Sequence, residues 1–282
     1  MLEFQLARCS YRWRWPKASA VGEIGSRRLC NSISGLRGRR VSGMNHAVFS
    51  FNNAPKMIEV RNLCKSYQTP GESTKVLDGV DLVLKAGEAV AIIGPSGSGK
   101  TTLLNMLGAL DSPSGGSVII GGHDITGYAP VAASRFRNRS LGFIFQQHYL
   151  LPQLNVLENV LLPRLAGDWE ESAAMTARRA RDLLCTVGLE HRLSHLPWQL
   201  SGGEKLRTAV ARALVNQPTL VLADEPTGLL DAVAADKVAE LLLQLNREAK
   251  VTLIVVTHNQ ALARKIGRTF ELVCGKLEEV VR

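Results

Sequence analysis

The sequence predicts an α/β fold built on a mainly parallel sheet. Three observations carry that expectation. Predominantly apolar runs at 89–93, 219–225 and 252–257 have the length and composition of strands buried on both faces. Segments of helical period at 103–107, 205–215 and 231–249 alternate with them. Alternating stretches at 58–61 and 76–84, with a further strand and hairpin at 117–122, add strands that break that rhythm.

In chain order, residues 1–56 differ from everything that follows. They hold ten of the 34 Lys and Arg residues but two of the 25 acidic ones, together with Trp13 and Trp15, and show no sustained period of 2 or 3.6. Three readings compete: an organellar transit peptide, a basic arm for a membrane surface or RNA, or a stretch upstream of a working start at Met44 or Met57. The abrupt onset of organised sequence at Met57 favours the last, with residues 1–56 a disordered extension and 57–282 one domain. Beyond residue 56 the balance is 24 basic to 23 acidic groups, so +8 of the net charge of +9 resides in the extension. The body has no global basic bias, so composition gives no reason to expect a nucleic-acid partner for it.

From Met57 the strand segments are punctuated by turns at 69–72 and 85–88. The run 89–93 then leads into Gly94-Pro95-Ser96-Gly97-Ser98-Gly99-Lys100-Thr101-Thr102. This matches G-x-x-x-x-G-K-[ST], a loop whose glycines turn successive N–H groups toward one anion-binding concavity. The helix beginning just after it adds the positive end of a dipole. Lys100 is placed to reach the β- and γ-phosphates of a nucleoside triphosphate, and the Thr101 hydroxyl to ligate Mg²⁺. Tyr67 is a candidate to stack on the base, although a strand-borne Tyr is commonly a packing residue.

Residues 111–116 read as a turn, and 141–146 as an apolar strand ending in the amide of Gln146. A polar-faced amphipathic helix is expected over 170–187, closed by Gly188, as a helical subdomain inserted between strands. Ser201-Gly202-Gly203-Glu204 precedes the helix at 205–215, and taken alone is a capping box. The run 219–225 ends in Asp224 and Glu225, two carboxylates whose burial needs a cation or proton chemistry. Asp224 suits a Mg²⁺ shell and Glu225 a base that deprotonates water. His258 follows the strand at 252–257, so several strands direct polar groups to one sheet edge. Closing strands fall at 270–281, around Gly275-Lys276. The five cysteines are odd in number and form no C-x-x-C pair, which favours reduced thiols in a cytosolic setting. No apolar run approaches the length of a membrane helix.

Over residues 57–282 these motifs, in this order, resemble the ATP-binding-cassette ATPases. The phosphate loop resembles the Walker A motif, Gln146 the Q-loop glutamine, and Leu200-Ser201-Gly202-Gly203-Glu204 the family signature. Residues 220–225 resemble Walker B with its catalytic glutamate, 228–231 the D-loop and His258 the switch histidine. The resemblance implies a P-loop NTPase fold: a RecA-like mixed-sheet core, an antiparallel β subdomain and an inserted helical subdomain. It implies ATP and Mg²⁺ as cofactors, with Tyr67 on the adenine, Gln146 beside the Mg²⁺ and water, and His258 on the γ-phosphate. It also implies a head-to-tail homodimer in which Ser201, Gly202, Gly203 and Glu204 meet the partner's ATP. Integral membrane subunits would dock near Gln146 and hold the cassette at the cytoplasmic face of an inner membrane. The segment 141–162 is most similar to the branch of lipoprotein-releasing, MacB-type export and FtsE-type division cassettes, and within it to the lipoprotein-releasing members. Leu229, where the branch usually has Asn, Lys205-Leu206 and Asn259 depart from its pattern without touching a group assigned to chemistry.

Overall fold

The structure is a computed structural model that describes residues 56–69, 72–167 and 169–280. The basic stretch 1–55 and the Pro70-Gly71 centre of the expected turn at 69–72 lie outside the described residues.

β1 (Lys56–Thr69) and β2 (Glu72–Lys85) pair antiparallel, with Ile58 opposite Leu84 and Tyr67 opposite Thr74. Alternation places Ile58, Val60, Leu77, Leu82 and Leu84 inside, while Arg61, Asp81 and Val83 face out. The turn at 85–88 closes through Glu88, whose N–H donates to Lys85 O at 3.3 Å and whose carboxylate accepts from Lys85 N at 2.7 Å. β3 (Ala89–Ile93) follows, then the phosphate loop, then α1 (Lys100–Leu107). α1 buries Leu103, Leu104, Met106 and Leu107 in a core cluster that draws on strands of both sheets. About 25 cal/mol per Å² of apolar surface removed from water makes that burial the main force fixing the helix under the loop.

β4 (Gly115–Ile120) starts within the stretch expected as a turn, and pairs with β1 and with β5 (His123–Asp124). α2 (Pro130–Ser140) leads into β6 (Leu141–Ile144), which ends two residues before Gln146. The inserted helices are α3 (Val156–Leu165) and α4 (Ala173–Thr186). α4 begins later than the sequence suggested because Ser172 caps it, accepting from Met175 N at 3.3 Å. α5 (Gly202–Leu214) instead begins earlier, since Ser201 and Glu204 form the capping box themselves. β7 (Leu220–Asp224), α6 (Ala232–Ala249), β8 (Thr252–Val256), α7 (Gln260–Ile266), β9 (Thr269–Val273) and β10 (Lys276–Glu279) complete the chain.

Among the described residues the strands form two sheets, one antiparallel in the order β2-β1-β4-β5 and one in the order β10-β9-β3-β8-β7-β6. In the second sheet β9, β3, β8, β7 and β6 run parallel, and only β10 pairs antiparallel. Ile92 and Asp224 both lie level with Val256, so the chains leaving β3, β7 and β8 emerge at one edge. Open α/β sheets carry their ligands beyond that carboxyl edge.

Candidate active site

Residues beyond four adjacent strands line a cavity of about 500 Å³. The loop after β3 contributes Ser96, Gly97, Gly99, Lys100, Thr101 and Thr102. β6 leads to Gln146, β7 to Asp224 and Glu225, and β8 to His258. The polar groups expected at one edge are therefore brought together, with Gln146 added by a fourth strand. Ser201, Gly202, Gly203 and Glu204 do not line this cavity, and neither does Tyr67.

The loop geometry follows from its glycines. Gly94 has φ +153°, and a Cβ there would lie 2.3 Å from the carbonyl oxygen of Leu272 on β9, so no larger residue fits. A Cβ at Gly97 would meet nothing within 4 Å, so the loop backbone there faces open space. The ammonium of Lys100 donates to Gly94 O at 3.0 Å and to Pro95 O at 2.8 Å, which centres a positive charge on the loop. Ser98 Oγ is buried and has no hydrogen-bond partner among the described residues. A buried hydroxyl, a cation and a helix N-terminus are what phosphate oxygens require.

Thr101 Oγ1 donates to Asp224 Oδ2 at 3.2 Å, pairing two hard oxygen donors across the floor of the cavity. Burial holds the Asp224 carboxyl above the usual carboxylate range, and the negative charge of Glu225 adds to this, against the pull of Thr101 and Lys100. A divalent cation would relieve that unfavourable charge, so these two residues fit Mg²⁺.

Glu225 sits at φ +45°, in the left-handed region that costs a non-glycine residue roughly 1–2 kcal/mol. Its N–H donates to Val256 O at 2.9 Å, which ties it to β8. Both carboxylate oxygens are engaged from that strand's end. Oε1 accepts from His258 N at 2.9 Å and lies 2.8 Å from His258 Nδ1, while Oε2 accepts from the Thr257 hydroxyl at 3.0 Å. His258, which the resemblance assigns to the γ-phosphate, has its ring on Glu225 here. Thr257 was missed altogether, because a Thr at a strand end carries no signal of its own. On the other side, a Cβ at Gly228 would come 2.8 Å from Gln146 Nε2, so Gln146 lies close against the loop that follows Glu225.

Tyr67 is exposed beside the site, and its hydroxyl donates to Asp111 Oδ2 at 2.9 Å. Lys65 Nζ stands 4.8 Å from the centre of its ring and also contacts Asp111 at 2.8 Å. The capping box at the start of α5 has the expected reciprocal bonds, with Ser201 N donating to Glu204 Oε2 at 2.8 Å. Arg192 donates to the other carboxylate oxygen of Glu204 at 3.0 Å. Burial alone would raise the Glu204 carboxyl, but the bonds from Ser201 and Arg192 outweigh it and hold the group low. The capping and signature readings of this stretch are thus compatible: the cap fixes a helix N-terminus whose first residues, Ser201 and Gly202, are exposed.

Comparison with known proteins decides the family. A family profile described as ABC transporter matches residues 77–228. The chain belongs to the ABC transporter family. It is 52% identical over 221 residues to lipoprotein-releasing system ATP-binding protein LolD 1 of Rhodopirellula baltica, covering 78% of this chain and 96% of that relative. It is 48% identical to the LolD of Geobacter metallireducens, covering 78% of this chain and 97% of that relative. Among solved structures it is similar to the dimeric cassette MJ0796 in a post-hydrolysis state bound to ADP and phosphate, with TM-score 0.73 and 39% identity. That match covers 80% of this chain and 100% of the other. The chain is an ABC ATPase cassette with a P-loop NTPase fold, and the nucleotide it uses is ATP.

Proposed function

We propose that this cassette is the ATP-hydrolysing subunit of a complex that releases lipoproteins from a bacterial inner membrane. The observation that carries the proposal is the similarity, over 78% of this chain and nearly the whole of each relative, to proteins named for lipoprotein release. The site supports the chemistry. Lys100 and the amides of the phosphate loop hold the triphosphate, and Tyr67 stacks on the adenine. Thr101, Asp224 and Gln146 would hold Mg²⁺, which would supply positive charge against the phosphates. Glu225, oriented by Thr257 and His258, takes the proton of the attacking water. His258, which lines the same cavity, is the donor to the γ-phosphate. Ser201, Gly202, Gly203 and Glu204 complete the site of a second copy, in a head-to-tail dimer.

No helix among the described residues is long and apolar enough to cross a membrane. Membrane-spanning partner subunits supply that part and hold the cassette at the cytoplasmic face. Their docking place is a groove of about 390 Å³ lined by Leu110, Phe143, Phe145, Tyr149 and Pro163, continuous with the turn after Gln146. Its apolar walls suit a helix presented by such a subunit.

The test is reconstitution of the full chain with the membrane subunits that co-purify with it, in proteoliposomes carrying an acylated protein. ATP-dependent release of the acylated protein is the expected result. Co-purified subunits that support ATP hydrolysis but release no acylated protein, and instead export a small molecule or recruit division proteins, would overturn the assignment.

A further inference from the structure

The turn that follows Gln146 is strained, and it is held from outside. His148 and Tyr149 both adopt left-handed backbone angles, φ 60° and 45°, a conformation that neither side chain favours. The turn closes on its own start, with His148 N donating to Phe145 O at 2.9 Å and Tyr149 N to Gln147 O at 2.6 Å. The Phe145 ring stacks on Phe143 at 5.5 Å and meets Tyr149 edge-on at 5.3 Å. Those contacts are local. The external hold is Arg212 on α5. Its Nη1 donates to Tyr149 O at 2.7 Å and its Nη2 to His148 O at 2.5 Å, a planar fork across two successive carbonyls. No carboxylate pairs with Arg212 among the described residues. A half-buried guanidinium without a counter-charge is retained here by main-chain carbonyls alone.

Position along the helix gives this contact its meaning. α5 starts at the Ser201 cap, and Arg212 stands about three turns, or about 16 Å, further along. One rigid helix therefore carries the signature residues at its N-terminus and grips the turn after Gln146 near its other end. Gln146 itself reaches the cavity against Gly228.

We infer that Arg212 is a positioning residue for ATP hydrolysis: by clamping the carbonyls of His148 and Tyr149 it fixes where Gln146 stands and ties that glutamine to the signature helix. Arg212 touches no nucleotide and acts through Gln146. The inference rests on the proposed role of Gln146 at the Mg²⁺ and water.

A double-mutant cycle on the purified full chain tests it, with kcat, KM for ATP and melting temperature measured for each variant. Arg212→Met should lower kcat about tenfold, the scale of a displaced active-site group, and leave KM within about twofold. Arg212→Lys, which can reach one carbonyl but not both, should fall between. In a Gln146→Ala background Arg212→Met should cause no further loss of kcat, since its effect passes through the missing amide. Equal fractional losses in both backgrounds, or a change in KM alone, would overturn the inference and leave the reading of Gln146 intact. A Gln146→Ala variant with undiminished kcat would remove that reading and the inference with it. If Arg212→Met melts too low to assay, the same cycle run with Arg212→Lys decides on the same criteria.

Discussion

At the scale of single residues, charge is the organising quantity. Lys100 is the cation at the centre of the phosphate loop, bonded to Gly94 and Pro95 carbonyls that phosphate oxygens would replace. Lys100→Ala should weaken MgATP binding by about 10- to 100-fold, the worth of one or two hydrogen bonds to a charged group. Titration calorimetry measures this, and unchanged affinity would contradict the placement. Asp224 offers a test that needs no nucleotide. Its carboxyl is raised by burial and by Glu225, so its contribution to stability is present at low pH and is lost as pH rises through its folded-state value. Asp224→Asn should therefore raise the melting temperature of the nucleotide-free protein near pH 7, with the gain shrinking as pH falls toward the ordinary carboxyl value of about 4. A gain that is constant across that range would show that the ionised carboxylate is not the cause. Residue types at this edge were legible from sequence because a Lys in a Gly-rich loop and two acids at a strand end are conspicuous. The pairing of His258 and Thr257 with Glu225 was not, since it depends on how the β8 end turns toward β7.

Elements hold those residues in place. β6 lies so close to α5 that a Cβ at Gly142 would sit 2.5 Å from Ala213 O. Gly142→Ala should destabilise the protein by about 1–3 kcal/mol, as overpacking does, and should loosen the approach of Arg212 to the turn after Gln146. Chemical denaturation measures the first effect; an unchanged midpoint would mean that β6 and α5 can separate without penalty. The central strands were readable because β3, β7 and β8 are short apolar runs, and α4, α5 and α6 because their apolar residues recur at helical spacing. α2 was not read as a helix. Only Ala133 of its residues is buried, so no apolar stripe marks it, and Pro130 at its first turn reads equally well as a loop. α7 is seven residues long, too short for a period to show. The left-handed pair His148-Tyr149 had no signal either, since neither residue prefers that conformation and the clamp that imposes it lies 63 positions away for Tyr149 and 64 for His148.

On the scale of the whole molecule, the described residues of 56–280 hold both sheets and the cavity in one body, while most of the net positive charge lies upstream. We propose that residues 1–55 are dispensable for it: their deletion should leave ATP turnover and melting temperature unchanged, and a large loss of either would place that stretch within the working domain. Assembly is the larger consequence. The proposed signature residues stand apart from the cavity of their own chain, so the proposed dimer is what would bring them to ATP. The measurement that bears most directly on this arrangement combines ATP turnover, MgATP affinity and light scattering for Glu225→Gln. Turnover should fall by about 100-fold or more, the contribution of a general base, while affinity is retained and ATP drives the mass to that of a dimer. Turnover close to that of the unmodified protein would contradict the assignment of Glu225, and a mass that stays monomeric with ATP bound would contradict the shared site.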